Sequence, residues 1–148
     1  MPGSRPPIAV ATVQDQAYFL LRSADSSAWA REVEATAADE SASELCLVTY
    51  DGGAWRLITY GPAALRANSS PPPRMAHYNG LLLLAGYDDR TGSVRTWALD
   101  FPTLRWSELD PIETMTEPDS LWLCVVNRIP TLVLVMYGAE SSTRFDVY

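Results

Sequence analysis

Residues 72–109 read PPRMAHYNGLLLLAGYDDRTGSVRTWALDFPTLRWSEL and carry the clearest structural signal in the sequence. It contains four short segments rich in apolar residues, separated by sequences typical of turns. The pair Asn79-Gly80 separates the first two segments, and a type I′ hairpin turn prefers Asn-Gly because both of its positions need positive φ. The run 81–85 is apolar at every position, which is typical of a strand that is covered on both faces. The stretch therefore predicts a four-stranded antiparallel sheet.

The rest of the chain follows the same plan of short strands and tight turns. Asp51-Gly52-Gly53 between two apolar runs predicts a second tight hairpin. We expect eleven strands and no long helix, which places the protein in the all-β class. Outside the quoted stretch, the expected strands cover residues 8–13, 17–22, 45–50, 54–60, 122–127, 132–137 and 143–148.

The sequence also contains an internal repeat. Trp55 and Trp106 lie 51 positions apart, and each opens a strand shortly after another strand that ends in Asp. Gly86 and Gly138 lie 52 positions apart, and each follows an apolar strand. A period near 50 residues with four short strands indicates the blade of a β-propeller.

Residues 72–109 resemble a Kelch repeat. The family pattern has Pro-Arg before the first strand, Gly-Gly closing the second, an aromatic residue three positions before Asp in the third, and Trp opening the fourth. The matching residues are Pro73-Arg74, His77 in the first strand, Ala85-Gly86 in place of Gly-Gly, Trp97 with Asp100, and Trp106. The resemblance implies Kelch-type propeller blades of four antiparallel strands.

On this interpretation residues 1–148 form a single β domain of about three repeats. The repeats cover residues 6–60, 72–109 and 111–148, and the last repeat is incomplete. The first repeat carries an acidic insert at 23–44, where six acidic residues stand against Arg31. Since propellers usually have four to eight blades, we expect that the ring is completed by oligomerisation or that the chain is part of a larger propeller. Completion by the N-terminus is disfavoured by the three prolines within residues 1–7.

Composition excludes several kinds of chemistry. All eleven basic residues are arginine, so a Schiff-base lysine and a phosphate-loop lysine are both excluded. His77 is the single histidine, and Cys46 and Cys124 are the two cysteines. We expect His77 to bond the backbone and the cysteines to be buried thiols. Sequence analysis therefore predicts no metal and no cofactor.

Charge and hydropathy limit the partners. A net charge of −7 disfavours nucleic acid and anionic membranes. No apolar run approaches the roughly 20 residues of a membrane span, and residues 1–7 lack the apolar region of a signal peptide. We therefore expect a cytoplasmic or nuclear protein with reduced cysteines.

The resemblance implies a non-catalytic protein–protein interaction module. In Kelch binding modules, side chains just after the second strand of a blade often face the partner. The contact candidates are Arg22, Ala76, Tyr87, Asp88 and Arg90, with residues 88–90 expected to form a charged loop. Trp29, inside the acidic insert, is interpreted as a residue that pins the insert to the domain, or alternatively as an anchor for a partner. Two alternative functions stay open: a propeller fragment or subunit of a larger enzyme, and a small ligand-binding β-barrel.

Overall fold

The computed structural model describes residues 5–26, 43–114, 116–136 and 139–144. Within these ranges the regular structure is antiparallel β-sheet, apart from one 3-10 turn at Ser23–Ser26. The predicted all-β class is confirmed. Most of the acidic insert, including Trp29, lies outside the described residues.

Twelve strands form three separate sheets in which strands that follow one another in sequence are neighbours. Sheet A contains β1 (Ala9–Val13), β2 (Gln16–Arg22), β3 (Leu45–Asp51) and β4 (Ala54–Tyr60). Sheet B contains β5 (Arg74–Tyr78), β6 (Leu81–Asp88), β7 (Ser93–Asp100), β8 (Arg105–Glu108) and the short β9 (Ile112–Glu113), which pairs with β7. Sheet C contains β10 (Ser120–Val126), β11 (Ile129–Met136) and β12 (Ala139–Arg144).

The three sheets stack face to face in chain order. Strand β5, the first of sheet B, lies between β1 and β10, the first strands of the two neighbouring sheets. Leu82 and Leu84 of β6 pack against sheet A, whereas Leu83 and Ala85 pack against sheet C. All four side chains are fully buried, which explains why this strand reads as an uninterrupted apolar run. The first and last described strands lie in different sheets, so the strands form open sheets and not one closed barrel.

The predicted hairpin turns are confirmed. Asn79 and Gly80 both have positive φ, 47° and 76°, as a type I′ turn requires. Gly52 and Gly53 also have positive φ, and Asp51 pairs with Ala54 across them. Local turn chemistry therefore fixes the register of these hairpins, and with it the face that each side chain occupies.

Two strand boundaries and one repeat boundary differ from the predictions. The last described strand begins at Ala139 and not at residue 143, because its sequence is too polar at a sheet edge to show an apolar alternation; residues 145–148 of the predicted strand lie outside the described residues. Strand β6 continues through Asp88, so this residue is not in a loop as expected; Asp88 pairs with Ser93, and the turn covers residues 89–92. Ile112–Glu113, assigned to the third repeat, belongs to sheet B because it pairs with β7.

Gly86 allows close approach between β6 and the segment at residues 61–73, which we call the connector because it joins sheets A and B. A Cβ atom at position 86 would lie 2.5 Å from Cδ2 of Leu65, which is fully buried. Gly86, which the repeat pattern placed at the end of the second strand, lies within β6 and makes room for Leu65 of the connector.

Gly86→Ala is expected to lower the free energy of unfolding by about 1–3 kcal/mol, because the added methyl group overpacks a closed site. Urea unfolding measures this loss. In a Leu65→Ala background the same substitution should cost much less, since the clashing methyl groups are gone. Equal costs in the two backgrounds would show that Leu65 is not the obstacle.

Candidate functional site

Four of the five predicted contact residues lie beside the connector. Arg22 ends β2, Tyr87 and Asp88 end β6, and Arg90 follows in the turn. These are corresponding positions, since β2 and β6 are the second strands of their sheets. Ala76 lies apart from them in the middle of β5, half-buried against the core between sheets B and C.

Two neighbouring clefts flank the connector and share Asn68 and Ser69 as a common wall. The acidic cleft, of about 330 Å³, is lined by Asn68 and Ser69 together with Glu44, Arg66, Ser70, Tyr87, Asp89 and Glu117. The basic cleft, of about 450 Å³, is lined by residues 5–8, Arg22, Ala67, Asn68, Ser69 and Pro72. The predicted residues Arg22 and Tyr87 therefore lie on opposite sides of the same segment.

The Asp88 carboxylate is the centre of an ion-pair network, and its side chain is only 2% exposed. Arg95 Nη1 donates to Asp88 Oδ2 at 3.0 Å, and the backbone N–H of Arg90 donates to Oδ1 at 3.1 Å. Arg95 also holds Glu108 in a bidentate pair, with distances of 2.6 and 2.8 Å. Asp88 thus joins the ends of β6, β7 and β8 and offers almost no surface to a partner.

Arg90 is bound to the same network but remains accessible. Its Nε lies 3.3 Å from Asp88 Oδ1, and its Nη2 donates to the carbonyl oxygen of Ala64 in the connector at 3.2 Å. The side chain is 53% exposed. Among the predicted contact residues, Arg90 therefore combines a fixed position with an exposed surface.

The network sets the pKa values of its carboxyl groups. Burial by itself would raise the pKa of Asp88, but the hydrogen bonds from Arg95 and Arg90 outweigh burial and hold the pKa below its ordinary value. The hydrogen bonds from Arg95 likewise hold the pKa of Glu108 below its usual range. A carboxyl whose pKa is lowered by folding stabilises the folded state above its unfolded pKa, and this stabilisation is lost as pH falls through the folded pKa.

Asp88→Asn is expected to lower the free energy of unfolding at pH 7 by about 1.5–3 kcal/mol, because charge-assisted bonds to two arginines are lost. The variant should also lose less stability than the wild type between pH 7 and pH 3, because its unfolded state has no carboxyl group at position 88 that can take up a proton. Urea unfolding at both pH values measures the difference. If the variant and the wild type lost equal stability between pH 7 and pH 3, Asp88 would not contribute to the acid destabilisation.

The histidine and the two cysteines all lie within β-strands. The backbone N–H of Gly80 donates to Nε2 of His77 at 3.0 Å, so the predicted bond to the backbone is confirmed. Cys46 is buried in sheet A as expected, whereas Cys124 is only half-buried in sheet C because it lies on the face directed away from sheet B. Across the described ranges, no three His, Cys, Asp or Glu side chains group together as metal ligands do.

Sequence reasoning missed an exposed apolar surface on sheet C. Along β10 and β11, every second residue packs against sheet B, and the residues between them face away. We call this other side the outer face of sheet C. On β10 and β11 its apolar positions are Trp122, Cys124, Val126, Ile129, Val133 and Val135, and its polar positions are Ser120 and Thr131. Trp122 is 50% exposed. The signal was present, because continuous apolar runs in both strands indicate that both faces need a cover.

Arg74 holds Trp122 in place. Its guanidinium carbon lies 4.4 Å from the centroid of the Trp122 ring, within the range of a cation–π contact. Arg74 Nε also donates to the carbonyl oxygen of Leu121 at 3.1 Å, which joins β5 to β10. The tryptophan is therefore an ordered element of the outer face.

Comparison of the sequence with protein-family models and with curated proteins finds no match. In the part of the chain that the structure describes, no helix has the length and apolar character needed to cross a lipid bilayer.

Proposed function

We propose that this chain is a non-catalytic protein–protein interaction module whose three sheets are blades of a Kelch-type propeller. Each sheet is an antiparallel meander, and the first strands of the three sheets are neighbours. The repeat also holds in register: Trp55 pairs with Tyr50, and Trp106 pairs with Leu99, each partner preceding the Asp that ends its strand. These features support the blade interpretation.

The observation that carries the proposal is the exposed outer face of sheet C. The corresponding face of sheet A is covered by sheet B, and that of sheet B is covered by sheet C. On sheet C the same face bears a half-exposed tryptophan and an exposed Val126. Contiguous exposed apolar surface of this kind marks an interaction site in soluble domains.

The partner that fits this face is another sheet of the same kind. We propose that it is sheet A of a second copy of the chain. Sheet A carries on its far face an apolar cluster that includes Leu21, Val48 and Leu57, and these three side chains are already buried within the chain. Its accessible part is aromatic: Trp55 is half-buried, and Tyr50, 5.1 Å from it, is 49% exposed. Placing this face on the outer face of sheet C continues the contact that already joins A to B and B to C.

Two copies joined in this way have a closed form. Each copy contributes one outer face of sheet C and one far face of sheet A, so a two-fold arrangement uses both surfaces of both chains. The result is a ring of six sheets, within the range of four to eight blades that propellers adopt. A closed ring leaves neither face open to water.

The proposal that the chain is non-catalytic is supported by the hydrogen bonds and ion pairs of its polar side chains. His77 lies in β5 and accepts a hydrogen bond from the backbone N–H of Gly80, and Asp88 is bound by two arginines. The groups best suited to acid–base chemistry are thus held by structural bonds. If the partner proved to be a different chain carrying catalytic groups, this chain would be an enzyme subunit, and the second-copy proposal would be wrong.

Trp122→Glu is expected to convert a dimer into a monomer. The wild type should approach twice the chain mass of 16.3 kDa with rising concentration. Loss of a central tryptophan should weaken the association by at least about thirtyfold, as expected for a hot-spot residue worth 2 kcal/mol or more. Light scattering after size exclusion measures the mass, and circular dichroism checks the fold.

Leu104→Glu is the matched control, since Leu104 is a 37% exposed leucine in the turn before β8, away from both proposed surfaces. Tyr50→Glu should weaken the dimer as Trp122→Glu does, although it lies on the other sheet. An equimolar mixture of the two variants should recover dimers, because one of the two contacts is then intact. A wild type that stays monomeric, or a Tyr50→Glu variant that dimerises normally, would contradict the head-to-tail arrangement.

A further inference from the structure

The basic cleft has the features of a ligand site. It lies beside the connector, between residues 5–8, which precede β1, and the end of β2. Its volume of about 450 Å³ is within the range of small-molecule sites. Arg22, which was predicted to contact a protein partner, lines this cleft.

Arg22 carries the main evidence. Its Nε atom is buried and has no hydrogen-bond partner among the residues that the structure describes. A buried donor without an acceptor is destabilising, and more so when the group is charged. Arg22 also lines the cleft, so an anion bound there would pair with the charge of its guanidinium group.

The cleft is positively charged although the chain carries a net charge of −7. Its charged lining residues are Arg5 and Arg22. Glu44 is nearby, but its Oε2 accepts a bond from the backbone N–H of Ala67 at 2.9 Å, and it lines the acidic cleft. No carboxylate among the described residues lines the basic cleft, so its charge favours an anion.

The remaining lining is largely apolar. Pro6, Pro7 and Pro72 contribute rings, and Ile8 and Ala67 contribute aliphatic side chains. Proline rings and aliphatic groups favour an apolar body over a fully hydrated ion. The polar groups of Asn68 and Ser69 lie on the side shared with the acidic cleft.

We propose that the basic cleft binds a small organic oxyanion. Its carboxylate or phosphate group accepts hydrogen bonds from the Arg22 guanidinium group and is also attracted by the charge of Arg5. Its apolar body lies against the prolines and Ile8. This site does not depend on the proposed function, because it uses neither the outer face of sheet C nor the far face of sheet A.

Isothermal titration calorimetry at low ionic strength tests the proposal with benzoate, phenyl phosphate, benzamide and inorganic phosphate. Benzoate or phenyl phosphate should bind saturably at one site per chain. Benzamide, which has the ring without the charge, and inorganic phosphate, which has the charge without the ring, should bind at least about tenfold more weakly, as each lacks one of the two contributions. Comparing benzoate with phenyl phosphate shows which oxyanion fits.

Variants locate the site. Arg22→Leu should weaken the preferred anion at least about tenfold, the effect of one charge-assisted bond. Arg105→Leu makes the same change in net charge at an exposed residue of β8 and should leave binding unchanged. Arg5→Leu, at another exposed side chain, should also weaken binding, which keeps the test valid if Arg22→Leu fails to fold.

Three results would overturn the proposal. One is the absence of saturable binding by both aromatic anions. Another is binding of benzamide or inorganic phosphate as tight as that of the aromatic anions. The third is anion binding that Arg5→Leu and Arg22→Leu leave unchanged. Trp122→Glu should bind the anion like the wild type, so failure of the dimer and failure of the cleft are distinguishable.

Discussion

Strand β6 carries apolar side chains on both faces, and both faces must be covered. Leu82, Leu83 and Leu84 are fully buried, and successive side chains of a strand point to opposite sides. Fully burying a leucine contributes about 1.5–3 kcal/mol, and exposing either face of β6 would forfeit part of that gain. Sheet B therefore requires a neighbour on each side, and sheets A and C meet that requirement. The stacking order of the whole chain follows from one apolar run.

Sheet C also needs a cover on both faces, and only one of its faces is covered by another sheet among the described residues. Strand β11 also has a nearly continuous apolar sequence, with Leu132 and Leu134 packed against sheet B. Val133 and Val135, the residues between them, lie on the outer face of sheet C beside Trp122. The physical reason that sheet B needs two neighbours thus applies to sheet C, which has one among the described residues. We infer that assembly supplies the other.

Turn chemistry and apolar runs made most of the fold predictable. Asn79-Gly80 and Gly52-Gly53 determine their hairpins locally, so the strands around them could be placed from sequence. The end of β6 could not be placed from sequence, because Asp88 is stabilised within the strand by Arg95, a residue of the next strand. Strand β12 was misplaced because an edge strand is held by backbone bonds that any side chain permits.

The candidate site was predictable only in part. The repeat pattern placed Arg22 and Arg90 at corresponding strand ends, but the clefts are formed by the connector, whose path depends on tertiary packing. Leu65, in the connector, is fully buried and meets Gly86 only in the folded chain. The orphaned Nε of Arg22 likewise depends on which groups surround it in three dimensions.

The central claim is that the outer face of sheet C is covered in the assembled protein. Hydroxyl-radical footprinting read residue by residue with mass spectrometry tests this claim most directly, because it reports the exposure of individual side chains. As the protein concentration rises, oxidation of Trp122 and Tyr50 should fall together, while oxidation of Leu104 stays constant. Oxidation of Trp122 that does not change with concentration would contradict the claim.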